Sequence, residues 1–384
     1  MKRLVVRILL VILGLTVPLT AGELYLRIYH PQLTLMRANI FSFKCFDQGQ
    51  FRWIKLLSSA DCQLRSAIGA FPDTEVKTNS LGLRNREVVM PKPKGDKRIL
   101  FVGDSFTMGW GVKETETFPR IAENLLNSIN LPYHVETVNA GFAAAGPSGY
   151  YIYLKDFGMK LDPDIVVVGL FMGNDITSRD DIEWMTSDPY GLPNIVRSKT
   201  SYIDTDGQLR TTNLLPEYRV PFLSESHLFI YLFNLFKAKM PVSAPGDTNT
   251  PITSLVCLFK AWCRSMDKEK QEVKDLLLGM KRIVETENHK KLLVAILPAE
   301  FQVTDDTEPK YGIAIPLAST EKTIPNQEFT AFLTENGIDS IDVMPAFAPF
   351  HDKITYFPKD DHWNPVGHAI AAAAISTKLA EYLK

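Results

Sequence analysis

Short apolar runs alternate along much of the chain with stretches in which apolar positions recur every three to four residues. The runs are Ile99–Val102, Val135–Val138, Ile165–Gly169, Leu292–Leu297 and Asp339–Val343. They are mostly apolar at successive positions, which suits strands covered on both faces; a half-exposed strand would alternate. Helical patterns lie between them. Phe118, Ile121, Leu125 and Ile129 share one helix face, with Thr117 as the expected cap and Pro119 in the first turn. Lys268–Glu287 sets Val273, Leu276, Leu277, Met280 and Ile283 against a charged side. Near the carboxyl end Asn364 is the expected cap of a helix that opens with Pro365 and carries Val366, Ile370, Ile375, Leu379 and Leu383. This alternation predicts an α/β fold with a parallel sheet and helices on both of its faces.

Three stretches depart from that rhythm. Lys2 and Arg3 precede Leu4–Ala21, which is uncharged except for Arg7. At ~1.5 Å per residue it is long enough to cross most of a bilayer core. The basic flank keeps the amino terminus cytoplasmic. The expectation is a single-pass membrane anchor over residues 1–22, with everything after it extracytoplasmic, on the periplasmic or cell-surface side. A cleaved signal peptide is the alternative: Thr20, Ala21 and Gly22 are small, but no clean A-x-A site is present. Residues 23–97 read as an irregular, polar, anchor-proximal segment packed on the main domain, 98–384. Within that domain about 178–265 reads as an insertion near the site, with a loop-like Pro241–Pro251 and an apolar patch at His227–Phe236.

Composition narrows the classes. The 384 residues are 45% hydrophobic and 22% charged, with a net charge of −2. Such a chain can build a core, and it lacks the basic excess of a nucleic-acid binder. Four cysteines are too few for a disulfide scaffold. In an exported chain they allow Cys45–Cys62 and Cys257–Cys263, with free buried cysteines as the alternative.

Candidate chemistry clusters after the apolar runs. Gly103-Asp104-Ser105-Phe106 follows the first, where a serine at the start of a helix sits at the ligand-binding edge of a parallel sheet. Asn139-Ala140-Gly141 follows the second, and Gly146-Pro147-Ser148-Gly149 comes soon after; a glycine there lets a backbone N–H approach a substrate oxygen. Gly173-Asn174-Asp175 follows the third, and its side-chain amide can donate to an oxyanion. Asp360-Asp361-His362-Trp363-Asn364 lies near the end; a histidine base needs an acid to fix its tautomer. Asp104 and Asp175 are expected to organise the loops beside Ser105 and Asn174, His368 to be structural, and Trp363 either to shape a pocket or to pack.

In these four blocks, in this order, the sequence resembles the SGNH/GDSL hydrolases. The resemblance covers about Arg98 to Lys384 apart from the insertion. It implies a three-layer α/β/α sandwich with a five-stranded parallel sheet (flavodoxin-like) and a serine esterase mechanism without a cofactor or metal. Ser105 would be the nucleophile and His362 the base. The oxyanion hole would use the Ser105 N–H, a glycine-loop N–H (Gly146 first, Gly149 second) and the Asn174 side chain. Many members carry Asp three residues before His, where this chain has Lys359. The acid is therefore Asp360 or Asp361. Asp360 is preferred, because a side chain adjacent to His362 is poorly placed to reach its ring. The D-x-H-W spacing is similar to that of relatives that move acetyl groups on exported polysaccharides. The expected function is an anchored esterase acting on O-acyl, first O-acetyl, esters of carbohydrate. The alternatives are an O-acyltransferase on exported polysaccharide and a non-catalytic polysaccharide-binding scaffold. A metal site of Asp360, Asp361, His362 and His368 would leave Ser105 and Asn174 without a role.

Overall fold

The structure is a computed structural model that describes residues 2–30, 32, 43–47, 55–66, 69–177, 182–199, 201–211, 220, 222–239, 256–261, 263–304 and 317–384. Its centre is a five-stranded, all-parallel sheet: β3 (Lys97–Gly103), β4 (Val135–Gly141), β5 (Ile165–Phe171), β10 (Lys291–Leu297) and β11 (Asp339–Asp342), in the order β11-β10-β5-β3-β4. All five apolar runs are strands. Ile165 to Phe171 is buried along its whole length, as a strand covered on both faces requires.

The strand order locates the working edge. From β3 the chain steps outward to β4, then returns past β3 to β5 and continues the other way to β10 and β11. The order reverses between β3 and β5, so their carboxyl ends border a crevice that no crossover fills. Right-handed crossovers place the β3–β4 helix and the β4–β5 helix on opposite faces. The first, α3 (Phe118–Ser128), packs with the last helix, α9 (Pro365–Leu383); the second, α4 (Pro147–Asp156), packs with α6 (Asp267–Lys281). This is the expected layering, helix–sheet–helix.

Two helix faces differ from expectation. On α3 Phe118, Ala122 and Leu126 are among the buried positions, while Leu125 and Ile129, the residue after the helix, are more than a third exposed. The buried stripe thus steps by four residues from Phe118 through Ala122 to Leu126. Thr117 does precede α3, but its hydroxyl donates to Glu114 O (2.8 Å) rather than capping the helix. On α9 Asn364 caps as expected, accepting from Val366 N (2.9 Å) and Gly367 N (3.2 Å). Val366 is 42% exposed, because the first turn projects past the core that buries Ile370, Ile375, Leu379 and Leu383.

The anchor-proximal segment is more ordered than its polarity suggests. Hairpin β1 (Asp61–Leu64) and β2 (Thr74–Lys77) and the Cys45–Cys62 disulfide organise a second, smaller core of Phe43, Cys45, Phe46, Leu56, Leu64, Phe71 and Val76, shared with Met108, Val112, Ala143 and Phe357 of the main domain. Cys257–Cys263 is also bonded. In the insertion, hairpin β6 (Ile182–Ser187) and β7 (Pro193–Ser198) packs on α4 and hairpin β8 (Ser201–Ile203) and β9 (Leu209–Thr211) follows. The apolar patch is part of helix α5 (His227–Lys239); the Pro241–Pro251 run lies outside the described residues.

The chain opens with helix α1 (Lys2–Tyr29), which carries Pro18 inside it. Among the described residues no helix is long and apolar enough to cross a membrane. The anchor expected over 1–22 falls partly on side chains outside the described set, those of Leu4, Val5, Ile8, Leu9 and Ile12 among them.

Candidate active site

Ser105 begins the short helix α2 (Ser105–Met108) directly beyond β3. The turn into it is set by Asp104, whose Oδ1 accepts from Phe106 N at 2.9 Å. Gly103 is needed there for space: a Cβ on it would lie 2.0 Å from Thr107 Oγ1. Asn139, at the end of β4, donates to Thr107 O (2.8 Å) and so ties α2 to the neighbouring strand.

His362 arrives from the other end of the chain on a closed loop. Tyr356 and Trp363 pair across it, Phe357 N donates to His362 O (2.9 Å) and Asn364 N to Thr355 O (3.1 Å). His362 Nε2 lies 2.7 Å from Ser105 Oγ, and His362 Nδ1 lies 2.5 Å from Asp360 Oδ1. With Nδ1–H donated to the carboxylate, Nε2 is free to accept the Ser105 proton. Asp360 Oδ1 also accepts from His362 N at 2.9 Å, which closes the loop on itself. Asp361 reaches the ring as well, with Oδ1 3.3 Å from Nδ1. The adjacent residue, the second candidate in the sequence, thus comes nearer the ring than its position suggests. It is 48% exposed where Asp360 is 10% exposed, so the nearer and drier partner is Asp360.

The electrostatics favour a charged imidazole. Burial pushes the His362 pKa down, but the carboxylates of Asp360, Asp361 and Asp104 outweigh it and raise it to about 9. Asp104 is itself buried, with one carboxylate oxygen lacking a partner, and burial raises its pKa to about 6 against the pull of His362.

The remaining blocks end at the same rim. Asp175 is buried and accepts from Phe171 N (2.8 Å) and Tyr150 Oη (2.8 Å), tying the turn that carries Asn174 to α4, which Gly146 precedes. Burial and the nearby Asp104 both raise the Asp175 pKa well above normal. Asn174 is exposed. Ser105 and Gly146 both open helices, where first-turn N–H groups have no intrahelical acceptor. Gly149 donates its N–H to Gly146 O at 2.8 Å, which leaves Gly146 the better placed of the two.

His368 is buried between the rings of Phe118 and Trp363, accepts from Phe118 N (3.3 Å), and burial drops its pKa to about 3. Among the described residues, the cluster of possible ligand atoms does not include His368. Ligand atoms of Asp360, Asp361 and His362 do lie within 4.8 Å of one another, but the two ring nitrogens face Asp360 and Ser105. Trp363 is a packed aromatic, wholly buried and stacked on Phe347 at 5.5 Å. The sequence reading does not pick out the rings flanking His362: Phe106 at 4.9 Å and Trp110 at 5.7 Å. A visible signal for the second is the Gly109-Trp110-Gly111 triplet shortly after Ser105.

No curated protein matches the chain. Among solved structures it is similar to a lipase/acylhydrolase from Enterococcus faecalis (13% identity, 75% of this chain and 97% of that one, TM-score 0.40). It is also similar to an acetylxylan esterase from Geobacillus stearothermophilus (13%, 74% and 94%, 0.38) and a carbohydrate acetylesterase from Sinorhizobium meliloti (13%, 74% and 99%, 0.37). Residues 258–383, which include Asp360 and His362, match the family model described as SGNH hydrolase-like domain, acetyltransferase AlgX. Ser105 is joined to His362 and Asp360 at the edge of a five-stranded parallel sheet, and over residues 258–383, which supply that histidine and aspartate, the chain matches an SGNH hydrolase-like domain.

Proposed function

We propose that the protein is a membrane-anchored, extracytoplasmic serine esterase that removes acyl groups, acetyl first, from carbohydrate esters. The observation that carries the reading is the 2.7 Å contact of His362 Nε2 with Ser105 Oγ, completed by Asp360 on Nδ1. Ser105 Oγ attacks the ester carbonyl as His362 takes its proton. The oxyanion is met by the N–H groups of Ser105 and Gly146 and the amide of Asn174. The leaving alcohol takes the proton from His362, and an acyl-Ser105 ester remains. Water, deprotonated by the same histidine, then releases the free acid. No step calls on a cofactor or metal.

Transfer is the second reading, favoured by the acetyltransferase in the description of the matching family model. The acyl-Ser105 ester is then resolved by a sugar hydroxyl instead of water. Support for the location comes from α1 and the disulfides. Leu10, Val11, Leu13, Leu15 and Val17 are each more than half exposed around α1, which calls for an apolar surrounding on all sides. Two disulfides fit an oxidising compartment.

A fluorophosphonate probe tests the enzyme reading. The wild type is expected to be labelled and Ser105→Ala not; labelling that survives in Ser105→Ala refutes the nucleophile, and an unlabelled, folded wild type favours the non-catalytic scaffold. Incubation with an acetyl donor, with and without oligosaccharide, then separates the two chemistries. Hydrolysis predicts acetate in both arms, and transfer predicts acetyl sugar at the expense of acetate.

A further inference from the structure

The two rings beside His362 are held by different parts of the molecule. Phe106 belongs to the core around the sheet. Trp110 stands on the turn after α2, with its N–H donated to Ser105 O at 3.0 Å. Gly109 and Gly111 on either side of it have φ of 88° and 77°, values that favour glycine. A Cβ on Gly111 would also come within 2.8 Å of Phe357. Arg84, wholly buried, donates to the carbonyls of Met108 (3.2 Å), Gly109 (2.5 Å) and Val112 (2.6 Å), so one guanidinium holds both ends of the turn. The same group donates to Glu75 O (3.1 Å) on β2. Phe43 and Phe71 meet the Trp110 ring edge-on at 5.9 and 6.0 Å. The indole in turn lies at 31° to the His362 ring.

We propose that Trp110 is a positioning residue for the base, its π face orienting the His362 ring and stabilising the imidazolium, and that Arg84, Phe43 and Phe71 make the amino-terminal segment an integral wall of the active site. An aromatic face attracts a cation, most strongly where water is excluded. In the reaction the imidazolium forms as Ser105 gives up its proton, so this contact strengthens in the transition state and acts on kcat more than on KM. The titratable groups whose charge also reaches His362 are Asp360 and Asp361 on its own loop, Asp104 in the turn after β3, and His368 on α9. None of them is altered by a change at Trp110.

The rate consequence rests on the serine-enzyme reading; the ring contact does not, and the test keeps the two apart. The His362 imidazole is titrated by NMR in the full chain as wild type, Trp110→Phe and Trp110→Leu. Leucine keeps apolar bulk without a π face, so its midpoint is expected to fall by about one pH unit, while phenylalanine stays near wild type. On an aryl acetate at pH values above the wild-type midpoint, Trp110→Leu should lose about tenfold in kcat with KM nearly constant, the ascending limb of its pH profile moving to lower pH. Phenylalanine should recover most of both. An unchanged midpoint in Trp110→Leu overturns the proposal. A shifted midpoint in a chain that the fluorophosphonate never labels sinks the enzyme reading and leaves the contact standing. If Trp110→Leu does not fold, Trp110→Met serves in its place. Arg84→Lys keeps the charge but loses the fork; it should move the midpoint in the same direction, and no movement removes Arg84 from the proposal.

Discussion

Ser105 stands where two cores of different construction meet. Below it, five parallel strands bury Ile99 to Val102 and Ile165 to Val168 almost completely, and backbone hydrogen bonds repeat along every strand pair. Beside it, the described residues of the smaller core between 43 and 76 are short pieces joined by a disulfide, a hairpin, single backbone bonds such as Leu57 N to Cys45 O, and the four carbonyls on Arg84. The first fixes where the ends of β3 and β5 lie, and with them Ser105 and Asn174. The second backs Trp110, one of the two rings that stand next to His362. Reactive geometry therefore depends on many redundant contacts and the surroundings of the base on few, so the two should respond differently to damage.

The largest break in that comparison is Ser105→Ala, which should lower ester turnover by on the order of 10^4-fold or more while leaving the melting temperature nearly unchanged. A large loss of stability would mean that Ser105 serves the fold. Asn174→Ala comes next. On the proposed mechanism it removes one oxyanion donor, so kcat should fall by about 10²–10³ with little change in KM. A pure rise in KM would instead place Asn174 in ground-state binding. The pH profile sharpens the comparison further. His362 must be neutral to act as a base, and its pKa is raised to about 9. Initial rates of kcat/KM should therefore climb by about tenfold per pH unit below that value and level off above it; a plateau already present at pH 7 contradicts the carboxylate influence of Asp360, Asp361 and Asp104. The smallest effect on chemistry is expected from Cys45→Ser with Cys62→Ser. Opening a loop with a sequence separation of 17 should cost about 3 kcal/mol of stability, seen in denaturant melts, with fluorophosphonate labelling retained under native conditions. Loss of labelling without loss of stability would show that the second core does more for catalysis than frame it.

The central strands are legible in the sequence because a strand buried on both faces needs apolar residues in succession, and Ile165–Gly169 has them. The meeting of Ser105, Asp360 and His362 is legible because each follows a strand or loop signal that short-range chemistry leaves behind. Leu125 and Ile129 mislead: helical periodicity identifies a stripe but not which of two overlapping stripes is buried, here the one through Ala122. Asp361 is misjudged because local backbone argument does not see how the Thr355–Asn364 loop folds. Trp110 and Arg84 act through partners far away in the chain, Phe43 and Phe71 for one and Met108 to Val112 for the other. No periodic pattern encodes such contacts.

Asp360 and His362 share one self-closed loop, while Ser105 lies 257 positions earlier. During synthesis Ser105 is therefore made well before the imidazole that it meets in the folded protein. On the proposed mechanism, a chain cut before the Asp360–His362 loop carries a dormant hydroxyl at Ser105.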